Sequence, residues 1–143
     1  MLIGQHTQKI TDKFRVAVPK KFREELGNKL MITKGYEGCL MIMSPAQWDE
    51  MVTGVVSGPF VSGVIRDTRR FLLASATEVE LDQQGRFVIP DYLKEYSHLK
   101  SEAVFLGLGS WVEVWDVDKW EIKRVEVEDQ SSSIGERLAQ IDK

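Results

Sequence analysis

A single cysteine, Cys39, leaves this 143-residue chain without the makings of an intrachain disulfide framework, so a reducing cytoplasm is its simplest compartment. The only two histidines, His6 and His98, lie far apart, and no spacing of His, Cys, Asp or Glu resembles a zinc site. No apolar run is long enough to span a bilayer. Met1-Leu2-Ile3-Gly4-Gln5-His6 lack the basic start and apolar core of a signal peptide. No Gly-rich stretch follows the Walker pattern. Gly107-Leu108-Gly109-Ser110-Trp111 is no nucleophile elbow, and its glycines more simply turn a hairpin. The acidic neighbours Asp49/Glu50 and Asp116/Asp118 read as solvated helix faces, and Cys39 as a small residue near a turn. These absences argue against an enzyme and call for no cofactor, metal, membrane or small-molecule substrate.

Positive charge is also short overall, with 19 Lys/Arg against 22 Asp/Glu and a net charge of −3. Its distribution matters more than its sum. Residues 1–34 hold eight Lys/Arg against three acids, a net of +5, while the rest of the chain carries 11 against 19, a net of −8. A polyanion is drawn to the first part and repelled by much of the remainder. Chance clustering on a solvated surface produces the same asymmetry, so charge alone decides nothing. The hydrophobic fraction of 43% and charged fraction of 29% are those of an ordinary globular domain.

What the chain does have is a duplication. Ile10-Thr11-Asp12-Lys13-Phe14-Arg15-Val16-Ala17-Val18-Pro19 returns as Leu81-Asp82-Gln83-Gln84-Gly85-Arg86-Phe87-Val88-Ile89-Pro90. Each copy continues with a charged amphipathic stretch, two apolar runs and a Trp (Trp48, then Trp120). A unit of this size buries too little surface to be comfortable alone, whereas two copies can share one core. The expected organisation is a first repeat over residues 1–52, a linker and helix over 53–74, a second repeat over 75–125 and an acidic tail over 126–143.

Alternation predicts strands over residues 4–11 and 75–82, and β-rich runs follow at Arg15–Val18 and Arg86–Ile89. The residues between then read as hairpin turns, where Gly85 suits a positive φ and Phe14 does not. Pro19 and Pro90 mark helix starts, because proline lacks only an amide that has no partner there. Phe22, Leu26 and Leu93 face the core from those short helices. Leu30–Thr33 and Ala103–Leu106 turn through Lys34–Gly38 and Gly107–Ser110 into Leu40–Met43 and Val112–Trp115. Ser44-Pro45-Ala46-Gln47 reads as a capping box and Asp116 as an N-cap, with Trp48 and Trp120 packing on the helices that follow. Thr53–Pro59 is Gly-rich and predicted mobile, the boundary between halves. In Val61–Ala74, one helical face carries Val61, Val64 or Ile65, Thr68 and Leu72, with Arg66, Asp67, Arg69 and Arg70 opposite. The tail beyond Glu126, with Ser131–Ser133, reads as a frayed helix or as disordered.

The duplicated loop, Arg69-Arg70-Phe71 leading to Ala74-Ser75-Ala76, and Asp82–Pro90 together resemble the MraZ family over about the first 125 residues. The resemblance implies a mainly β fold with short helices (α+β), built from two tandem AbrB-like swapped-hairpin β-barrel half-domains forming an intrachain pseudo-dimer. It further implies a ring homo-oligomer that regulates transcription of the bacterial division and cell-wall gene cluster by reading repeated boxes in promoter DNA. The expected location is cytoplasmic and nucleoid-associated. The family carries an Asp-x-x-x-Arg motif in each copy, implicated in DNA binding. Asp82 and Arg86 match it; in the first copy Arg15 stands, but Thr11 replaces Asp and Phe14 replaces Gly.

A narrow loop whose tip bears Lys13, Phe14 and Arg15 suits a major groove, with Arg15 bonding guanine bidentately, and Lys9, Lys20 and Lys21 suit phosphate contacts that set register. Thr11 can accept a hydrogen bond from Arg15 without the charge a carboxylate adds. The second loop, Arg86 beside Glu80, Asp82 and Asp91, is expected either to touch DNA weakly or to spend its arginine on an Asp82–Arg86 salt bridge. Exposed apolar residues such as Phe60 and Val61 suit subunit contacts. The alternative from another class is a protein-interaction or oligomerisation scaffold, or an antitoxin-like binder, without sequence-specific DNA binding.

Overall fold

The computed structural model describes residues 1–55 and 57–141. The strands are β1 (Leu2–Lys9), β2 (Arg15–Ala17), β3 (Lys29–Lys34), β4 (Leu40–Met43), β5 (Thr77–Glu80), β6 (Arg86–Val88), β7 (Glu102–Gly109) and β8 (Val112–Asp116). Between and after them lie helices α1 (Lys20–Leu26), α2 (Pro45–Val55), α3 (Gly63–Leu72), α4 (Asp91–Ser97), α5 (Val117–Asp129) and α6 (Ser131–Ile141). The fold is α+β. Six antiparallel strands form one sheet in the order β1-β7-β8-β4-β3-β5, and β2 pairs only with β6 in a separate ribbon.

The strand order follows the duplication. β1 and β5 are equivalent strands, as are β3 and β7, and each edge strand pairs with the other repeat: Lys9 lies opposite Glu102, and Lys29 opposite Glu80. In the centre, β4 meets β8 with Leu40 opposite Val114 and Ile42 opposite Val112. The order therefore reads the same from either edge. The expected barrel is corrected: among the described residues no ladder closes the sheet, because β2 and β6 leave it to pair with each other.

Continuous apolar runs in β4 and β7 report a sheet covered on both faces. One face contributes Leu30, Ile32, Leu40, Ile42, Ala103, Phe105, Val112 and Val114 to the main core. Beneath the ribbon and the short helices the same core receives Val16, Val18, Phe22, Leu26, Phe87, Ile89 and Leu93. Burying one such large side chain is worth ~1.5–3 kcal/mol, and the equivalent pairs Val16/Phe87 and Phe22/Leu93 make both repeats contributors. On the opposite face Met41, Met43 and Leu72 pack with Trp48, Met51 and Phe71. Cys39, Val104, Leu106 and Trp115 pack there with Val117 and Trp120. Trp48 and Trp120 are thus packing residues, as their helical positions predicted.

The caps explain where the helices begin. Ser44 Oγ accepts from Gln47 N–H at 3.2 Å, and one Asp116 carboxylate oxygen accepts from Asp118 and Lys119 N–H, each at 3.2 Å. The α1 start at Pro19 and the α4 start at Pro90 follow the sequence.

Three sequence expectations are corrected, and of the two forms expected for the tail one is found. Ile65, Thr68 and Leu72 form the inner face of α3, whereas Val61 and Val64 stay 71% and 76% exposed. Gly107 lies within β7 rather than in the turn: a β-carbon there would sit 2.5 Å from the Ile3 amide nitrogen, so glycine lets β1 approach. The acidic tail is helical as far as Ile141, with Asp142 and Lys143 outside the described residues. In α5, which leads into that tail, charges are arranged as helical pairs, Glu121 and Glu128 with Arg124 and Glu126 with Lys123, and Lys123 also reaches Glu37 at 2.5 Å. Finally, Thr53–Val55 of the expected linker belong to α2, while Val56 lies outside the described residues.

Candidate nucleic-acid interface

The repeated loops leave equivalent strands and close in the same way. In the first, Thr11 N–H donates to Arg15 C=O at 3.0 Å and Phe14 N–H donates to Thr11 C=O at 2.9 Å. In the second, Asp82 N–H donates to Arg86 C=O at 3.0 Å and Gly85 N–H donates to Asp82 C=O at 2.9 Å. The side chain at the loop start completes each turn. Thr11 Oγ1 accepts from Arg15 N–H at 3.1 Å, and Asp82 Oδ1 accepts from Arg86 N–H at 2.9 Å.

The two loops differ in the second oxygen. Asp82 Oδ1 also accepts from Gln84 N–H at 2.9 Å, and Oδ2 accepts from Arg86 Nε at 3.1 Å. These donors, the Arg86 amide first, hold the Asp82 carboxyl below its ordinary range. Thr11 has one oxygen and spends it on the backbone. Among the described residues the Arg15 guanidinium has no hydrogen-bond or ion-pair partner, while that of Arg86 is engaged.

Beyond each loop the chain enters the ribbon, where Arg15 lies opposite Val88, Val16 opposite Phe87 and Ala17 opposite Arg86. Val16 and Phe87 point inward, 1% and 5% exposed, so alternation turns Arg15, Ala17, Arg86 and Val88 outward together. Both arginines therefore occupy one face of the ribbon. They are diagonal neighbours, a relation that places residues ~7–8 Å apart and their β-carbons somewhat closer.

The surroundings differ in charge. Lys9, Lys13, Lys20 and Lys21 are all exposed. At equivalent places the second repeat carries Glu80, Gln84, Asp91 and Tyr92. The basic groups belong to the first repeat and the acids to the second.

The sequence reading missed the loop tips. Phe14 adopts φ 57°, against 75° for Gly85, so the aromatic residue takes the conformation the turn demands. Its carbonyl accepts from Ile89 N–H at 2.8 Å, and Gly85 C=O accepts from Val18 N–H at 2.9 Å. Lys94 Nζ lies 3.9 Å from the Phe14 ring centroid, and a β-carbon on Gly85 would overlap the Arg23 guanidinium. Arg23 and Lys94 each stand four residues after the repeated proline, the one signal that could have revealed them. Elsewhere, burial, reinforced by Glu113, pushes the Cys39 thiol well above its ordinary range, which leaves it protonated at neutral pH. Among the described residues no three His, Cys, Asp or Glu gather as metal ligands, and no helix is long and apolar enough to cross a membrane.

A family described as "MraZ protein, putative antitoxin-like" matches the chain twice, over residues 1–70 and 72–141. The Transcriptional regulator MraZ of Moorella thermoacetica is 39% identical over 142 residues, covering 99% of each chain. That of Pelotomaculum thermopropionicum is 38% identical over 141 residues, 99% of this chain and 97% of its own. That of Acetivibrio thermocellus is 38% identical over 141 residues and 99% of both. With the whole length matched and the duplicated Arg-bearing loop in place, this chain belongs to the MraZ family.

Proposed function

We propose that this protein is a transcription regulator that reads double-stranded promoter DNA through the outward face of the β2–β6 ribbon. The observation that carries this reading is the unpartnered guanidinium of Arg15, in a repeat whose Lys9, Lys13, Lys20 and Lys21 are all exposed. A two-stranded ribbon fits a major groove, where arginine can bond guanine O6 and N7 together. The four lysines neutralise phosphates and make the affinity fall with salt. Arg86, held by Asp82, serves the second loop's own geometry first and DNA second. The names of the relatives, all transcriptional regulators, support the same class.

Within this reading the two repeats, residues 1–52 and 75–125, act as an intrachain pseudo-dimer related to the swapped-hairpin AbrB domains. Residues 53–74 connect them, and residues 126–143 form the acidic tail. One ribbon is a small surface, so affinity comes from repetition. A ring of copies engaging several promoter boxes gains avidity of ~10²–10⁴ when geometry permits simultaneous contact. The targets are boxes ahead of the division and cell-wall genes, with the protein in the cytoplasm on the nucleoid.

Footprinting of the chain on the promoter region ahead of its own gene tests this reading. Protection at regularly spaced boxes is expected, with light scattering reporting an assembly larger than a dimer. Uniform weak protection would reduce the reading to charge attraction. The interaction scaffold draws support from Phe60, Val61 and Val64, which are 81%, 71% and 76% exposed. It requires assembly to survive alongside a complete lack of promoter protection.

A further inference from the structure

We infer that each repeat sets the conformation of the other repeat's loop, and that Lys94, in the acidic half, is a positioning residue for Arg15. This inference deepens the DNA-reading proposal and rests on it for its functional consequence. An aromatic residue at φ 57° sits where glycine is at ease, since the left-handed region crowds a β-carbon against the following carbonyl. Something outside the loop must hold it there. Contacts from outside the turn come from Lys94 of α4 and from Ile89, the residue after β6. Lys94 Nζ stands 3.9 Å from the Phe14 ring centroid, well inside cation–π range. The Phe14 carbonyl accepts from Ile89 N–H at 2.8 Å. Both partners belong to the second repeat.

The second loop obeys the same rule with the roles exchanged. Gly85 has no side chain, and the space is filled by Arg23 of α1, from the first repeat. Arg23 and Lys94 are equivalent residues: their amides donate to Pro19 C=O at 3.0 Å and to Pro90 C=O at 2.9 Å. A cation from the helix of one repeat therefore braces the loop tip of the other, a long side chain against glycine in one case and a lysine over a phenylalanine in the other. Phe14 immediately precedes Arg15, so fixing its φ and ring fixes the direction in which Arg15 leaves the loop. Among the described residues the only carboxylate within salt-bridge reach of Lys94 is Asp91, at a loose 3.9 Å, which leaves the ammonium available to the ring.

The test compares Lys94→Met, which keeps the stem and removes the charge, with Lys94→Arg, which keeps a cation over the ring. Promoter affinity is expected to fall ~3- to 10-fold in Lys94→Met and to be retained in Lys94→Arg, with the salt slope unchanged in both. A slope reduced by about one in Lys94→Met would mark Lys94 as a phosphate contact and overturn the positioning role. A second measurement needs no DNA. In carbon–proton NMR spectra the Lys94 ε-methylene protons are expected upfield, under the Phe14 ring, and at ordinary positions in Phe14→Gly. The Arg15 amide should shift in Lys94→Met. Ordinary Lys94 shifts in the unmodified chain would overturn the inference whatever the DNA result. Shifted Lys94 protons in a chain that ignores promoter DNA would uphold the brace and defeat the DNA reading instead.

Discussion

Arg15 and Arg86 stand diagonally across the outward face of one two-stranded ribbon, with Val16 and Phe87 buried directly beneath it. Equivalent in sequence, they are unequal in chemistry. Asp82 takes the Arg86 guanidinium at 3.1 Å, whereas Thr11 reaches only the Arg15 amide, at 3.1 Å. A single substitution thus divides a duplicated motif into one arginine held by its own loop and one facing outward without a partner.

That difference predicts different responses to acid. The carboxyl of Asp82 sits below its ordinary range in the folded loop, chiefly through the Arg86 amide. Its stabilising effect is complete above the ordinary carboxylate pKa of ~3.9 and is lost as pH falls through the lower folded value. Hydrogen exchange should then show the Gln84 and Arg86 amides losing protection in that window while the Arg15 amide, bonded to a hydroxyl, keeps its own. Equal loss in both loops would contradict the assignment.

Gly85→Ala forces a β-carbon into the left-handed region and into the Arg23 guanidinium. The backbone cost alone is ~1–2 kcal/mol, and the overlap adds to it. A urea titration should show the unfolding free energy lowered by more than that backbone cost; a loss no larger than it would mean that Arg23 does not brace the second loop.

Phe87→Ala removes the large side chain beneath both arginines, which is 5% exposed. The expected loss is ~3–5 kcal/mol, from lost burial together with the cavity left behind. Thermal unfolding measures it. Because the same residue anchors the ribbon from the second repeat, amide shifts at Arg15 in the first repeat should move as well.

Much of this was legible in the chain because it depends on local chemistry. Pro19 and Pro90 mark helix starts wherever they occur, Asp116 and Ser44 cap because their oxygens reach amides two or three residues ahead, and continuous apolar runs such as Leu40–Met43 announce burial. The Asp82–Arg86 pair follows from the same kind of reasoning, and the α+β class from the family resemblance. What escaped depends on partners distant in sequence. Phe14 accepts a positive φ because α4 brings Lys94 to its ring, and nothing near residue 14 says so. Gly107 reads as a turn residue until β1 is known to pass it. The open sheet in place of a barrel turns on β2 choosing β6. The basic charge of the first repeat was countable in advance, but that both arginines share one face came only from the ribbon's register.

The most direct test of the central claim is fluorescence anisotropy on the chain's own upstream promoter and on a shuffled duplex, at two salt concentrations, with Arg15→Ala and Arg86→Ala alongside. The account predicts promoter-selective binding that weakens with salt. Arg15→Ala should lose ~1–3 kcal/mol and the selectivity with it, while Arg86→Ala loses less. Selective binding that survives Arg15→Ala, or no binding to either duplex at low salt, would contradict it.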